Sequence, residues 1–176
     1  MKHFSFSIPQ NVYFGWGSLA DLAEVATKTG AKKAFIVSGP HLKKAGYVDL
    51  CAEKLKQAGI DSESFTETEG NPSTDTVEKA AAKFKDSGAD MIVAFGGGSP
   101  LDVAKAVAVI GTYGGKITDY EGVGKVPGPV VPMIAIPTTA GTGSEVTPSE
   151  IYILRNRKRK MLHRAVLLSQ EPPQKP

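Results

Sequence analysis

The sequence predicts an α/β fold: a mostly parallel sheet with helices on its faces. Three observations carry that reading. Strand-length apolar segments alternate with amphipathic helical ones along the first two thirds of the chain. One of them, Asp90–Phe95 (DMIVAF), is almost unbroken in its apolar character, the pattern of a strand covered on both sides. Two such runs then stop in loops of small residues, GGGSP after Phe95 and PTTAGTGSE after Ile136. The carboxyl ends of parallel strands are where α/β proteins meet their ligands.

In chain order, Phe4–Ile8 and Val12–Phe14 read as short extended segments that lead through Gly15 and Gly17 into a helix, SLADLAEVATKTG. Ser18 is its expected cap, Leu19, Leu22, Ala23 and Ala26 its apolar stripe, and Gly30 its stop. Lys33–Val37 (KAFIV) has the length of a strand rather than a helix. A helix over Tyr47–Ala58 ends at Gly59, and Ile60–Phe65 alternates as a half-buried strand. The loop GNPSTD opens the next helix, capped by Ser73 or Thr74, with Val77, Ala80, Ala81 and Phe84 inward and Gly88 as terminator. After DMIVAF a helix spans Pro100–Ile110. A Gly/Pro-rich stretch, 111–129, interrupts the alternation before a last apolar strand, VVPMIAI.

With 176 residues the chain can bury one core plus an appendage. An apolar fraction of 41% and a charged fraction of 22% exclude a disordered chain and point to an ordinary soluble globular protein. The single cysteine, Cys51, rules out an internal disulfide, fits a reducing compartment and falls in a predicted helix as a small core residue. No segment approaches the roughly eighteen apolar residues of a membrane span, and MKHFSFSIPQ lacks the apolar centre of a signal peptide. A cytoplasmic location without membrane partners is therefore expected. His3, His41 and His163 lack ligand spacing, so no metal site is expected in this chain.

Charge divides the chain. Residues 1–150 hold 14 lysines, no arginine and 17 acidic residues. Residues 151–176 hold 7 basic residues, all four arginines among them, against one glutamate. We therefore divide the chain into a body over 1–153 and a basic, irregular tail over 154–176. So abrupt a change suits an out-of-frame or engineered end. The rival, a nucleic-acid or membrane-surface segment, lacks aromatics among the charges, so no nucleic-acid partner is expected.

The chemistry concentrates in the two loops. In GGGSPLD, glycines at a strand tip let the main chain approach a ligand and permit positive φ. Ser99 is placed as N-cap, Pro100 as first helical residue and Asp102 three residues after the cap, close to a capping box. Unpaired amides and the positive end of the helix dipole suit a pyrophosphate. A cap needs one glycine at most, so Gly96, Gly97 and Gly98 together favour ligand binding over a plain turn. Asp102 stays open between structural cap and ligand contact. In PTTAGTGSE, hydroxyls and glycine amides can bond ribose and phosphate without adding charge. Two further patterns carry less. GWGSLA fits G-x-G-x-x-A, but its strand is short and no acid follows the next strand; and Gly-Gly-Lys near Lys116 lacks the first glycine of a P-loop.

At these residues the chain resembles the iron-containing (group III) alcohol dehydrogenases. FGWGSL resembles the family's opening FGxG turn, GNPS its GNP loop, GGGSPLDVAK its GGGSxxDxAK signature and IPTTAGTGSEVT its second fingerprint. The resemblance covers residues 4 to 150. It implies a Rossmann-like, dehydroquinate synthase-like N-terminal domain that binds NAD or NADP, with the family's all-helical second domain missing. It also implies that Asn71, Gly96, Gly97, Gly98, Ser99, Asp102, Thr138, Thr139 and Thr142 line the cofactor pocket, with Lys160 at the spacing of a cofactor-contacting lysine. Gly39 aligns with an acid that NAD-specific members use on the adenosine ribose; glycine leaves room for a 2′-phosphate, which admits NADP alongside NAD. The family's metal, Fe²⁺ or Zn²⁺, is held by an Asp and three His that this chain ends before, so it is expected only in the full-length enzyme. What the resemblance implies, then, is the nucleotide-binding domain of an enzyme that interconverts small alcohols and aldehydes. The chain alone is expected to be inactive, and to form a homodimer through residues Phe4–Phe14. The alternatives are a non-catalytic nucleotide-binding or assembly module and a glycerol dehydrogenase-like relative.

Overall fold

The structure, a computed structural model, describes residues 11–146 and the backbone of 149–153 and 160–164. The first predicted strand, Phe4–Ile8, lies outside the described residues, as do 165–176.

Seven strands and five α-helices are described. A 3₁₀ turn (Ser18–Asp21) leads into α1 (Leu22–Lys28). Then follow β1 (Lys33–Ser38), α2 (Pro40–Lys44), α3 (Tyr47–Gln57), β2 (Asp61–Phe65), α4 (Thr74–Ser87), β3 (Met91–Gly96) and α5 (Gly98–Tyr113). A second 3₁₀ turn (Ile117–Tyr120) precedes β4 (Gly122–Val123), β5 (Met133–Pro137), β6 (Ser149–Ile153) and β7 (Lys160–Arg164).

The main sheet has the order β2-β1-β3-β5, all parallel. Its central strands, β1 and β3, are buried along almost their whole length. Side chains alternate across a strand, and two apolar layers result. Phe35, Val37, Ile92 and Ala94 face α4 and α5, where the Phe35 and Phe84 rings meet edge to face at 5.5 Å. Ala34, Ile36, Met91, Val93 and Phe95 face α1 and α3, with Cys51, Leu55 and Ala26. Both faces need apolar residues, so the alternation merges into a continuous run.

Strand β6 of a smaller sheet, β4-β7-β6, also packs against α5. Every residue of α5 from Val103 to Ile110 is buried, Lys105 included.

Several predicted details differ. Val12–Phe14 is not a strand; these residues are exposed coil. Ser18 does not cap α1, because Gly17 (φ 79°) turns the chain into a 3₁₀ segment and Asp21 precedes the α-helix. The short helix α2, begun by Pro40 at its first position, went unpredicted. The last apolar run is extended only from Met133 onward. The tail expected to be irregular, 154–176, contains β7, paired antiparallel with β6 from Ser149↔Arg164 to Ile153↔Lys160. Isoleucine and tyrosine in SEIYI are strong strand formers, and they give the KMLHR segment a partner.

Candidate functional site

Four parallel strands place their carboxyl ends on one edge, and the order β2-β1-β3-β5 reverses direction between β1 and β3. A crevice opens outside the strand tips at such a switch point. Gly39 follows β1 there and Gly97 follows β3, while β5 ends beside them in the register Gly96↔Pro137.

The glycines are required by geometry. Gly96 has φ 150°, and a Cβ on it would lie 2.8 Å from Pro100 Cγ and 3.6 Å from Leu42 Cδ1 of α2. Gly97 (φ −76°, ψ −165°) is the N-cap of α5, and the Leu101 amide donates to its carbonyl at 3.4 Å. The helix therefore starts earlier than expected. Ser99 and Pro100 sit inside its first turn, where an absent proline N–H loses no bond. Ser99 is not the cap, and Asp102 is a full turn beyond it. The capping box is thus corrected: Gly97 is the cap and Gly98 the first helical residue.

With no side chain capping α5, the amides at its start and the positive end of a 16-residue helix dipole face the crevice. The second loop closes over them. Thr138 donates its amide to the Gly96 carbonyl at 2.8 Å. A Cβ on Gly97 would come within 3.1 Å of Thr139 Oγ1, and one on Gly98 within 3.2 Å of Ser144 Oγ and 3.3 Å of Thr142 Cγ2. So Gly96, Gly97, Gly98, Ser99, Thr138, Thr139 and Thr142 converge as a single cradle. The floor at Gly97 and Gly98 already lies close against those side chains, and a larger residue at either position would press on them. Ser144, buried against Gly98, belongs to the cradle although sequence reasoning did not single it out; its place in the GTGS run was the available signal.

Asp102 lies farther along α5, its side chain 14% exposed, with Oδ1 at 3.5 Å from the wholly buried Lys105 Nζ. This i,i+3 pair places a cation behind the cradle.

On the other side, Gly39 stands near Thr68 in the loop that carries Asn71. A Cβ on Gly39 would touch the Thr68 carbonyl at 3.5 Å, an ordinary contact, so the position tolerates a side chain. Buried Thr68 lies in the loop that carries Asn71, whose backbone is left-handed (φ 54°). Glu69 in that loop accepts hydrogen bonds from the Ser73 amide and Thr76 Oγ1. Partial burial raises its pKa, but the bonds from Thr76 and Ser73 outweigh that and hold it below the usual carboxylate value. Lys160 begins β7, across from Ile153; its side chain lies outside the described residues. Cys51 is remote, on α3, and burial pushes its thiol up to about 12, so it is inert. Among the described residues no group of three His, Cys, Asp or Glu could hold a metal ion. No helix among them is long and apolar enough to cross a membrane.

The model of the family described as iron-containing alcohol dehydrogenase matches residues 9–169. The NAD-dependent methanol dehydrogenase of Bacillus methanolicus is 38% identical over 157 residues, 89% of this chain and 41% of that protein. Among solved structures, a 1,3-propanediol oxidoreductase superposes with a TM-score of 0.90 at 33% identity, covering 96% of this chain and 44% of that one. A sulfoacetaldehyde reductase from Bifidobacterium kashiwanohense, in complex with NAD⁺, superposes with a TM-score of 0.84 at 28% identity, covering 94% and 44%. The chain thus spans about two fifths of the length of the proteins it matches.

Proposed function

Because this chain belongs to the iron-containing alcohol dehydrogenase family, we propose that it holds the dinucleotide for an NAD(P)-linked interconversion of small alcohols and aldehydes. The observation that carries the reading is the cradle. Two loops without bulky side chains meet at the tips of β3 and β5, at the start of a helix that no side chain caps.

Main-chain N–H groups at Gly97, Gly98 and the start of α5 would hold the pyrophosphate, and the helix dipole would offset its charge. Ser99, Thr138, Thr139 and Thr142 supply neutral donors and acceptors around it, with Asp102 and Lys160 as further contacts. Asn71 and Gly39 flank the adenosine end. When bound, the nicotinamide supplies the carbon that accepts or gives up a hydride. The chain's part is to fix that ring's position and to keep water from the phosphates. The described residues offer no donor set for the family's metal. The relatives' names point to methanol, 1,3-propanediol and sulfoacetaldehyde, and a cradle for the cofactor does not choose among such substrates.

The choice of cofactor turns on Gly39. Without a carboxylate there, a 2′-phosphate meets no repulsion, so we read the site as open to NADP as well as NAD. Calorimetric titration of the chain with each dinucleotide, repeated on Gly39→Asp, tests site and selectivity together. The substitution should weaken NADP⁺ at least tenfold and leave NAD⁺ within about threefold, since like charges brought together cost several kcal/mol. Equal changes for both would defeat the reading of Gly39, and no binding of either by the unsubstituted chain would defeat the reading of the cradle.

Residues Val12, Tyr13, Phe14 and Trp16 stand exposed, and we read them as a contact surface for a second copy of the chain. A cytoplasmic setting accords with the lone, buried thiol.

A further inference from the structure

Asn71 is the one non-glycine residue among those described whose backbone is left-handed. That conformation is costly for an L-residue, least so for asparagine, and a turn persists in it when its surroundings over-determine it.

Glu69 supplies that determination. Its Oε1 accepts from the Ser73 amide at 3.1 Å, closing over Gly70, Asn71 and Pro72. The same oxygen accepts from Thr76 Oγ1 at 2.6 Å, which ties the carboxylate to the first turn of α4. Ser73 Oγ accepts from the Thr76 amide at 3.2 Å and lies 3.0 Å from Thr76 Oγ1, so the clasp and the helix cap share their groups. Pro72 is buried beneath the turn. At its other end Thr68 is buried, its carbonyl against Gly39 at the tip of β1. The turn is therefore pinned on both sides of Asn71, and a charged acceptor makes the α4 side the stronger pin.

We infer that Glu69 is a positioning residue for the dinucleotide: by clasping residues 70–72 onto α4 it holds Asn71 in the conformation that meets the cofactor. The inference rests on the assignment of Asn71 to the dinucleotide site made above. Without the clasp the turn would have to be ordered on binding, and affinity would fall by that ordering cost. A residue that only capped α4 would affect stability and leave affinity alone.

The test is a double-mutant cycle on the 176-residue chain, reading NAD⁺ affinity and thermal midpoint for Glu69→Ala, Glu69→Gln, Asn71→Ala and the double variant Glu69→Ala/Asn71→Ala. Asn71→Ala should weaken binding about fivefold or more, and Glu69→Ala by a similar factor. The double variant should bind no worse than Asn71→Ala alone, because the clasp then has nothing to position. Glu69→Gln keeps an oxygen that can accept both bonds and should recover most of the affinity. A Glu69→Ala chain with a lowered midpoint but normal affinity would overturn the inference. So would a double variant whose loss is the product of the two single losses. Normal affinity in Asn71→Ala would remove the assignment of Asn71 itself, and absence of binding in the unsubstituted chain would remove the site.

Discussion

At Gly96 the backbone has φ 150°, and Pro100 Cγ stands 2.8 Å from where a Cβ would be. Both the torsion and the space exclude a side chain. Pro100, in the first turn of α5, has little freedom to yield. Gly96→Ala should accordingly destabilise the fold by about 1–3 kcal/mol, seen as a lower urea midpoint in the absence of any nucleotide. An unchanged midpoint would mean that the strand tip relaxes at no cost. Gly97 and Gly98 differ in kind. Their φ values need no glycine, and what crowds a side chain there is the opposite loop at 3.1–3.3 Å, whose Thr139, Thr142 and Ser144 would have to give way. The triplet thus divides into one glycine kept by backbone torsion and two kept by close approach. The sequence shows three identical letters, and only neighbours in space tell them apart.

At the scale of elements, the helices α4 and α5 contrast in how they begin. Helix α4 has a side-chain cap, with Ser73 accepting from the Thr76 amide, and it ends at Gly88 in the left-handed region as its sequence predicts. Ser73→Ala should cost about 1 kcal/mol, the ordinary loss for such a cap, and thermal unfolding would register it. A loss well above 2 kcal/mol would show that the Glu69 clasp falls with the cap. Helix α5 has no such side chain, and its amides are left for another acceptor. The predicted capping box at Ser99 failed because a Ser-x-x-Asp spacing is common to caps and to ordinary first turns. Periodicity, by contrast, located both helices well: Val77, Ala80, Ala81 and Phe84 are buried as their spacing requires.

On the scale of the whole molecule, the parallel sheet gathers the tips of β1, β2, β3 and β5 on one edge, so the loops that carry Gly39, Asn71, Gly98 and Thr142, distant in the chain, all leave the sheet on that edge. Exposure is concentrated at the other extreme, in the segment after residue 10. Phe14 and Trp16 are 99% and 105% exposed. Aromatic rings so exposed favour association. Sedimentation should show dimers or larger species at high concentration, reduced by the paired change Phe14→Ser and Trp16→Ser. A clean monomer at all concentrations would dismiss the reading of this face.

The amino-acid order alone determined the α/β class, the helices α3 and α4, the buried strands β1 and β3, and the two loops of small residues that make the cradle. These are local properties: apolar period, glycine stops and strand-length runs act within a few residues of one another. The tertiary structure decided which glycine starts α5, that Ser144 closes the cradle, that Thr68 borders Gly39 and that Glu69 clasps the Asn71 turn. Each of those depends on distances between segments that are far apart in the chain, and such distances exist only once the sheet order β2-β1-β3-β5 has brought the strand tips together.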